Sequence, residues 1–238
     1  MLKQKFMIGL VAVAALVLGM QVGVFAKKKK QATFKVRIEN ISNPDGLAAA
    51  DGSKYPFALS PGMYIVSSDK ASFFKAGKRS SDGLESQAED GSPDLLSKNL
   101  LTKVGTSNMG IFNTPVGMDK AAPILPNGAY EFTFTAQEGM KLNLIAMYGQ
   151  SNDLFYAPEK AIDLFVNGTA LSGDITDRLM LWDAGTEVNQ APGIGDQQAP
   201  RQKAPNTGTD EKGVVNLVKD GFSYPNTKDV LKVTITQQ

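Results

Sequence analysis

Histidine and cysteine are both absent from this chain of 238 residues, and tryptophan occurs once. Without histidine there can be no histidine-based triad, no imidazole general base and none of the usual zinc sites. Without cysteine there is no thiol nucleophile, no disulfide and no lipidated N-terminal cysteine. Any metal held here must be held by oxygen, which points to calcium or magnesium. An excess of one charge is missing too, since 25 Lys and Arg face 24 Asp and Glu. A nearly neutral chain has no electrostatic footprint for nucleic acid. Internal repeats and sustained helical periodicity are also lacking.

What is present begins with an export-type segment. Lys3 and Lys5 form a short positive region, Met7 to Leu18 is almost wholly apolar, and Val24-Phe25-Ala26 ends on a small residue. The pattern predicts a secretory signal peptide over residues 1–26, cleaved after Ala26. Lys27 to Lys30 open a basic tail, residues 27–32, which reads as solvated chain or as a contact for anionic surfaces. These lysines also outnumber the two before the apolar run, and Phe6 to Ala26 is about long enough to span a bilayer. A membrane association is therefore expected only if the segment is retained as an anchor. Gly19, Gln21 and Gly23 weaken the end of the run and favour cleavage. Removing Lys3 and Lys5 takes the basic count from 25 to 23 against 24 acidic residues, a formal charge of −1. The mature protein is expected to be secreted or periplasmic, with one domain over residues 33–238.

That domain reads as all-β. Phe34, Val36 and Ile38 alternate with Lys35, Arg37 and Glu39, the period of a half-buried strand. Tyr130, Phe132 and Phe134 repeat the pattern after a Pro126-Asn127-Gly128 turn. Leu142-Asn143-Leu144-Ile145-Ala146-Met147 is a more continuous apolar run, as a central strand would be. Arg178 to Trp182 and Val230 to Thr236 complete the strand set. Short helices are predicted over Gly83–Glu89 and Pro93–Leu101, the second opened by Ser92-Pro93. The expected architecture is an antiparallel β-sandwich with short helices in its connections. Gly185 to Gly213 is rich in Pro, Gly, Gln and Asn, and reads equally as a functional loop or a disordered one.

Two acidic turns carry the candidate chemistry: Ser151-Asn152-Asp153-Leu154-Phe155 and Trp182-Asp183-Ala184-Gly185-Thr186-Glu187. Carboxylates on two loops at one end of a sandwich can converge on a hard cation. Calcium takes roughly 6–8 oxygens from carboxylates, carbonyls and water. Without a cation, three such groups would repel one another. The competing reading is that each carboxylate caps its own turn. Trp182 reads as a packing anchor beside the site, and Asp163, Asp174 and Asp177 as turn or surface carboxylates.

The chain resembles the spondin N-terminal domain family. The matching pieces are Gly83 to Gly91, the Pro126-Asn127-Gly128 approach to an aromatic strand, and the two acidic turns, continued by Asn189-Gln190-Ala191-Pro192-Gly193. The resemblance implies a sandwich similar to a C2 domain, with calcium held at one end by Asp153, Asp183 and Glu187. Glu187 stands where animal members often have Asp. Glu89 and Asp90 also match and are expected at a helix end or on the surface.

Three functions follow as expectations. The first is an exported, non-enzymatic calcium-binding module mediating adhesion-type contacts with a protein or glycan at the cell envelope or outside it. The second is a carbohydrate-binding sandwich, with Tyr148, Phe155 and Tyr156 available to stack on a sugar or else buried in the core. The third is a metal-assisted hydrolase, disfavoured because no nucleophile or base motif is present and calcium activates water poorly.

Overall fold

The computed structural model describes residues 29–68, 71–104 and 108–238. The expected signal segment and its cleavage point lie outside the described residues, as do Lys27 and Lys28 of the basic tail. Among the described residues, no helix is long and apolar enough to cross a membrane.

Among the described residues, eleven strands form two antiparallel sheets, and two short two-stranded ladders lie apart from them. In chain order they are β1 (Gln31–Asn40), β2 (Leu59–Ser67), β3 (Met109–Phe112), β4 (Ala129–Gln137), β5 (Lys141–Tyr148), β6 (Leu154–Pro158), β7 (Ile162–Asp163), β8 (Gly173–Asp174), β9 (Leu179–Asp183), β10 (Asn216–Leu217) and β11 (Leu231–Gln237). The first sheet has the order β8-β11-β1-β4. The second has the order β10-β9-β6-β5-β2-β3, with β7 added beside β5. Three helices are α1 (Asp82–Glu89), α2 (Asp94–Val104) and the single turn α3 (Thr227–Val230). The architecture is the all-β antiparallel sandwich that the alternation predicted. Its first strand starts at Gln31, inside the stretch expected to be tail.

The alternation is what builds the first sheet. Phe34, Val36 and Ile38 of β1 lie opposite Phe134, Phe132 and Tyr130 of β4, and all six face the core. Their rings continue into the second sheet, where Tyr64 stacks on Phe132 at 4.3 Å between centroids. Such pairs add about 0.5–1.5 kcal/mol beyond the area they bury.

Both faces of the second sheet are covered. Leu142, Leu144, Ala146 and Tyr148 of β5 point into the space between the sheets. Ile145, with Phe155 of β6 and Trp182 of β9, packs under Leu84, Ala88, Leu96 and Leu100 of α1 and α2. This two-sided burial explains why β5 is mostly apolar, and its one buried amide, Asn143, donates Nδ2 to Ala71 O at 2.9 Å.

Helix α1 is fixed at its start and along its body. Ser81 Oγ accepts from Leu84 N at 3.4 Å and caps its start. Its middle docks on a bulge in β2 between Leu59 and Gly62. Pro61 occupies that bulge, where no ladder bond is required of it, and its carbonyl accepts from Gln87 Nε2 at 3.0 Å. The last residue of α1, Glu89, is thereby delivered to the end of the sandwich where β5, β6 and β9 turn.

Candidate metal centre

The β5–β6 turn is held by its own side chains. Ser151 Oγ donates to Tyr148 O at 2.6 Å and accepts from Leu154 N at 3.1 Å. Asn152 Oδ1 accepts from Gln190 N at 3.0 Å, tying the turn to the long loop. Asp153 is thus carried at the mouth of β6 and is 0% exposed. Its Oδ2 accepts from Thr186 N at 2.7 Å, from Thr186 Oγ1 at 3.2 Å and from Glu187 N at 3.1 Å. Its Oδ1 is buried and has no hydrogen-bond donor.

Asp183 ends β9 directly beside this turn, with Leu154 as its register partner. Its Oδ1 accepts from Gly185 N at 2.7 Å and its Oδ2 from Asn189 Nδ2 at 2.7 Å. It therefore does cap its own turn, whereas the amides that bind Asp153 come from a distant loop. The carboxamide oxygen of Asn189 is buried and lacks a donor as well.

The third member of the group is Glu211. One carboxylate oxygen from each of Asp153, Asp183 and Glu211 lies within 4.8 Å of the other two, a group able to hold a metal ion. Burial pushes the Asp153 carboxyl well up from its ordinary value, and repulsion from Asp183 adds to this against the pull of the Thr186 and Glu187 amides. Asp183 and Glu211 are raised chiefly by burial, with Asp220 pushing both the same way. An oxygen-only set that joins the buried, donorless Oδ1 of Asp153 to the half-buried Asp183 and the exposed Glu211 fits a hard cation.

Glu187, expected as the third ligand, is carried elsewhere. Gly185 sits at φ +68° and a side chain there would strike Val214 N at 2.6 Å, so the chain turns sharply after Ala184. The amides of Thr186 and Glu187 wrap Asp153, while the Glu187 carboxylate swings toward Gly208 and Asn152. Its Oε1 accepts from Gly208 N at 2.8 Å and its Oε2 from Asn152 Nδ2 at 3.3 Å. Glu211 takes its place because the loop returns antiparallel along 185–188. Glu211 N donates to Thr186 O at 2.9 Å and Val188 N to Thr209 O at 2.7 Å.

The loop 185–213 is built rather than loose. Gln198 is fully buried and its Nε2 donates to the carbonyls of Gln190 at 3.1 Å and Ala191 at 2.9 Å. Arg201 Nε donates to Gly195 O at 2.7 Å and its Nη1 to Gln150 Oε1 at 2.9 Å.

The surroundings decide several expectations. Trp182 is buried, donates Nε1 to Ala157 O at 3.1 Å and packs on Phe74, the anchor role expected of it. Tyr148, Phe155 and Tyr156 are all core residues, so none of them can stack on a sugar. Asp163, Asp174 and Asp177 are exposed, and Asp174 closes its own turn through Thr176. Glu89 does end a helix but is buried, not on the surface. Two cavities flank the loop. A cleft of about 680 Å³ is lined by Trp182, Asp183, Glu211, Val214, Leu217 and Lys219. A pocket of about 370 Å³ on the other side is lined by Glu85, Glu89, Glu187 and Asp210, with Arg79 and Lys212.

Comparison with protein-family models and with curated proteins finds no match for this chain.

Proposed function

We propose that this protein is an exported, non-enzymatic β-sandwich module that binds calcium and uses the ion to stiffen the loops at one end for contact with a protein or glycan partner. The observation that carries the metal reading is the Asp153 carboxylate, fully buried with one oxygen lacking any donor, within 4.8 Å of Asp183 and Glu211. A cation supplies the charge that this group lacks. Calcium is favoured over magnesium because its coordination is flexible and tolerates ligands from separate loops. Asp153, Asp183 and Glu211 would hold the ion, and water would enter from the cleft that Asp183 and Glu211 line. The resemblance to spondin N-terminal domains supports the calcium and the extracellular setting. The loss of three stacking aromatics to the core weighs against the sugar-binding alternative, and the lack of histidine and cysteine against a hydrolase. Affinity in the range of about 10⁻⁴–10⁻³ M, common for extracellular modules, is expected.

The test is a thermal melt in calcium, in magnesium and in excess chelator. Calcium at about 100 times its dissociation constant adds roughly 2.7 kcal/mol, which moves the midpoint by roughly 5–10 °C for a chain of this size. Asp183→Asn and Glu211→Gln should each reduce that shift. A shift that neither substitution reduces rejects the site.

A further inference from the structure

We propose a second divalent-cation site, formed by Glu89 and Glu187 in the acidic pocket on the far side of the 185–188 loop from the first. The two sites share a wall, the Thr186–Glu187 backbone, but no carboxylate.

Three observations place a ligand there. Glu89 is 2% exposed and its Oε2 has no hydrogen-bond donor, although it borders a pocket of about 370 Å³. A buried, unpaired carboxylate oxygen beside open volume is where a cation gains most. Glu89 is also the final residue of α1, a helix with no basic residue in its last turn. The carbonyl end of a helix carries partial negative charge, so a carboxylate is held there at a cost unless a positive charge joins it.

Glu187 is the second ligand, and it is pre-positioned. It too is 2% exposed, and Gly208 N and Asn152 Nδ2 fix its orientation. Gly208 leaves no room for variation: a Cβ there would lie 1.9 Å from Glu187 Cδ. Both side chains line the same pocket. Among the described residues, no ion pair reaches either of them; Lys212 pairs with Asp210 instead.

The pocket also suits the ion's other needs. Glu85 and Asp210 add charge to its wall without being buried as Glu89 is. The volume leaves room for a partly hydrated ion. Two carboxylates plus waters is a coordination that magnesium accepts readily and that calcium also tolerates. The competing occupant is a single shared proton.

The experiment is calcium and magnesium titration of the full chain by calorimetry, with equilibrium dialysis for stoichiometry, on wild type, Glu89→Gln and Asp183→Asn. Two divalent ions per wild-type chain are expected, with one lost in each variant. One ion that Glu89→Gln removes and Asp183→Asn retains would keep this site and sink the first. One ion that Asp183→Asn removes, or two ions that Glu89→Gln leaves intact, overturns the proposal. If Glu89→Gln does not fold, the wild-type and Asp183→Asn counts decide: two and one support the site, while one and none overturn it.

Discussion

The outer face of β1 and β4 and the loop end of the sandwich treat the same functional group in opposite ways. On the sheet, Glu131 accepts from Arg37 Nη1 at 2.9 Å and from Lys35 Nζ at 3.4 Å, and is 31% exposed. Arg37 holds its carboxyl below the usual range. At the loop end, Asp153, Asp183, Glu211, Glu89 and Glu187 are pushed up instead, in each case first by burial. The sheet carboxylate is complete within the protein. The loop-end carboxylates are organised by amides, a hydroxyl and helix geometry, and among the described residues no ion pair reaches them, so each is charged at a cost.

The sharpest way to break the contrast is to remove one carboxylate from each region. Asp153→Ala should cost about 3–5 kcal/mol, because it strands the Thr186 and Glu187 donors in the interior. Denaturant midpoints at equal slope would measure it. A cost below that of the sheet variant would show that the amides find other partners.

Acidity separates the regions next. Glu89 is pushed up to about 8 from an ordinary 4.5, chiefly by burial. The folded state then holds a proton that the unfolded chain releases. Stability of the chelated protein is fully present below about 4.5 and declines as pH rises toward 8. The melting midpoint in chelator should therefore fall between pH 5 and pH 8.5, and saturating calcium should flatten the decline. A midpoint that rises over this range in chelator would contradict the assignment.

Gly208→Ala should cost about 1–3 kcal/mol by driving Glu187 off its position, and should weaken metal binding on that side of the loop first. Unchanged titration curves would show that Glu187 is not needed in place. The smallest effect is expected from Glu131→Ala, about 0–1 kcal/mol, reduced further by salt and with no influence on metal response.

Sequence and structure agree where one local period decides the outcome. Phe34, Val36 and Ile38 had to share a face because a strand repeats every two residues, and Leu142 to Met147 reads as central because only Asn143 interrupts its apolar run. Asp153 and Asp183 were legible because each ends or begins a strand within a turn motif. Glu211 was not. Its place depends on Glu187 bridging to Asp210 across the returning loop, a register set by partners more than twenty residues apart in the chain. Glu187, which the resemblance implied as a ligand, is not brought into that group, because the turn at Gly185 sends its side chain toward Gly208. The order of the 185–213 loop was equally hidden, since Gln and Arg side chains bonded to carbonyls leave no hydrophobic pattern to read.

The pairing of β1 carries a consequence for how the molecule comes into being. One edge of β1 is completed by β4, but the other is completed only by β11, with Phe34 opposite Gln237. During synthesis or threading from the N-terminus, that second edge stays open until the residues of β11 have emerged. Contacts between distant segments are slow to form, and open edges recruit strangers. Until that strand arrives, the chain is an adhesive half-sheet that has to be kept from pairing with its neighbours.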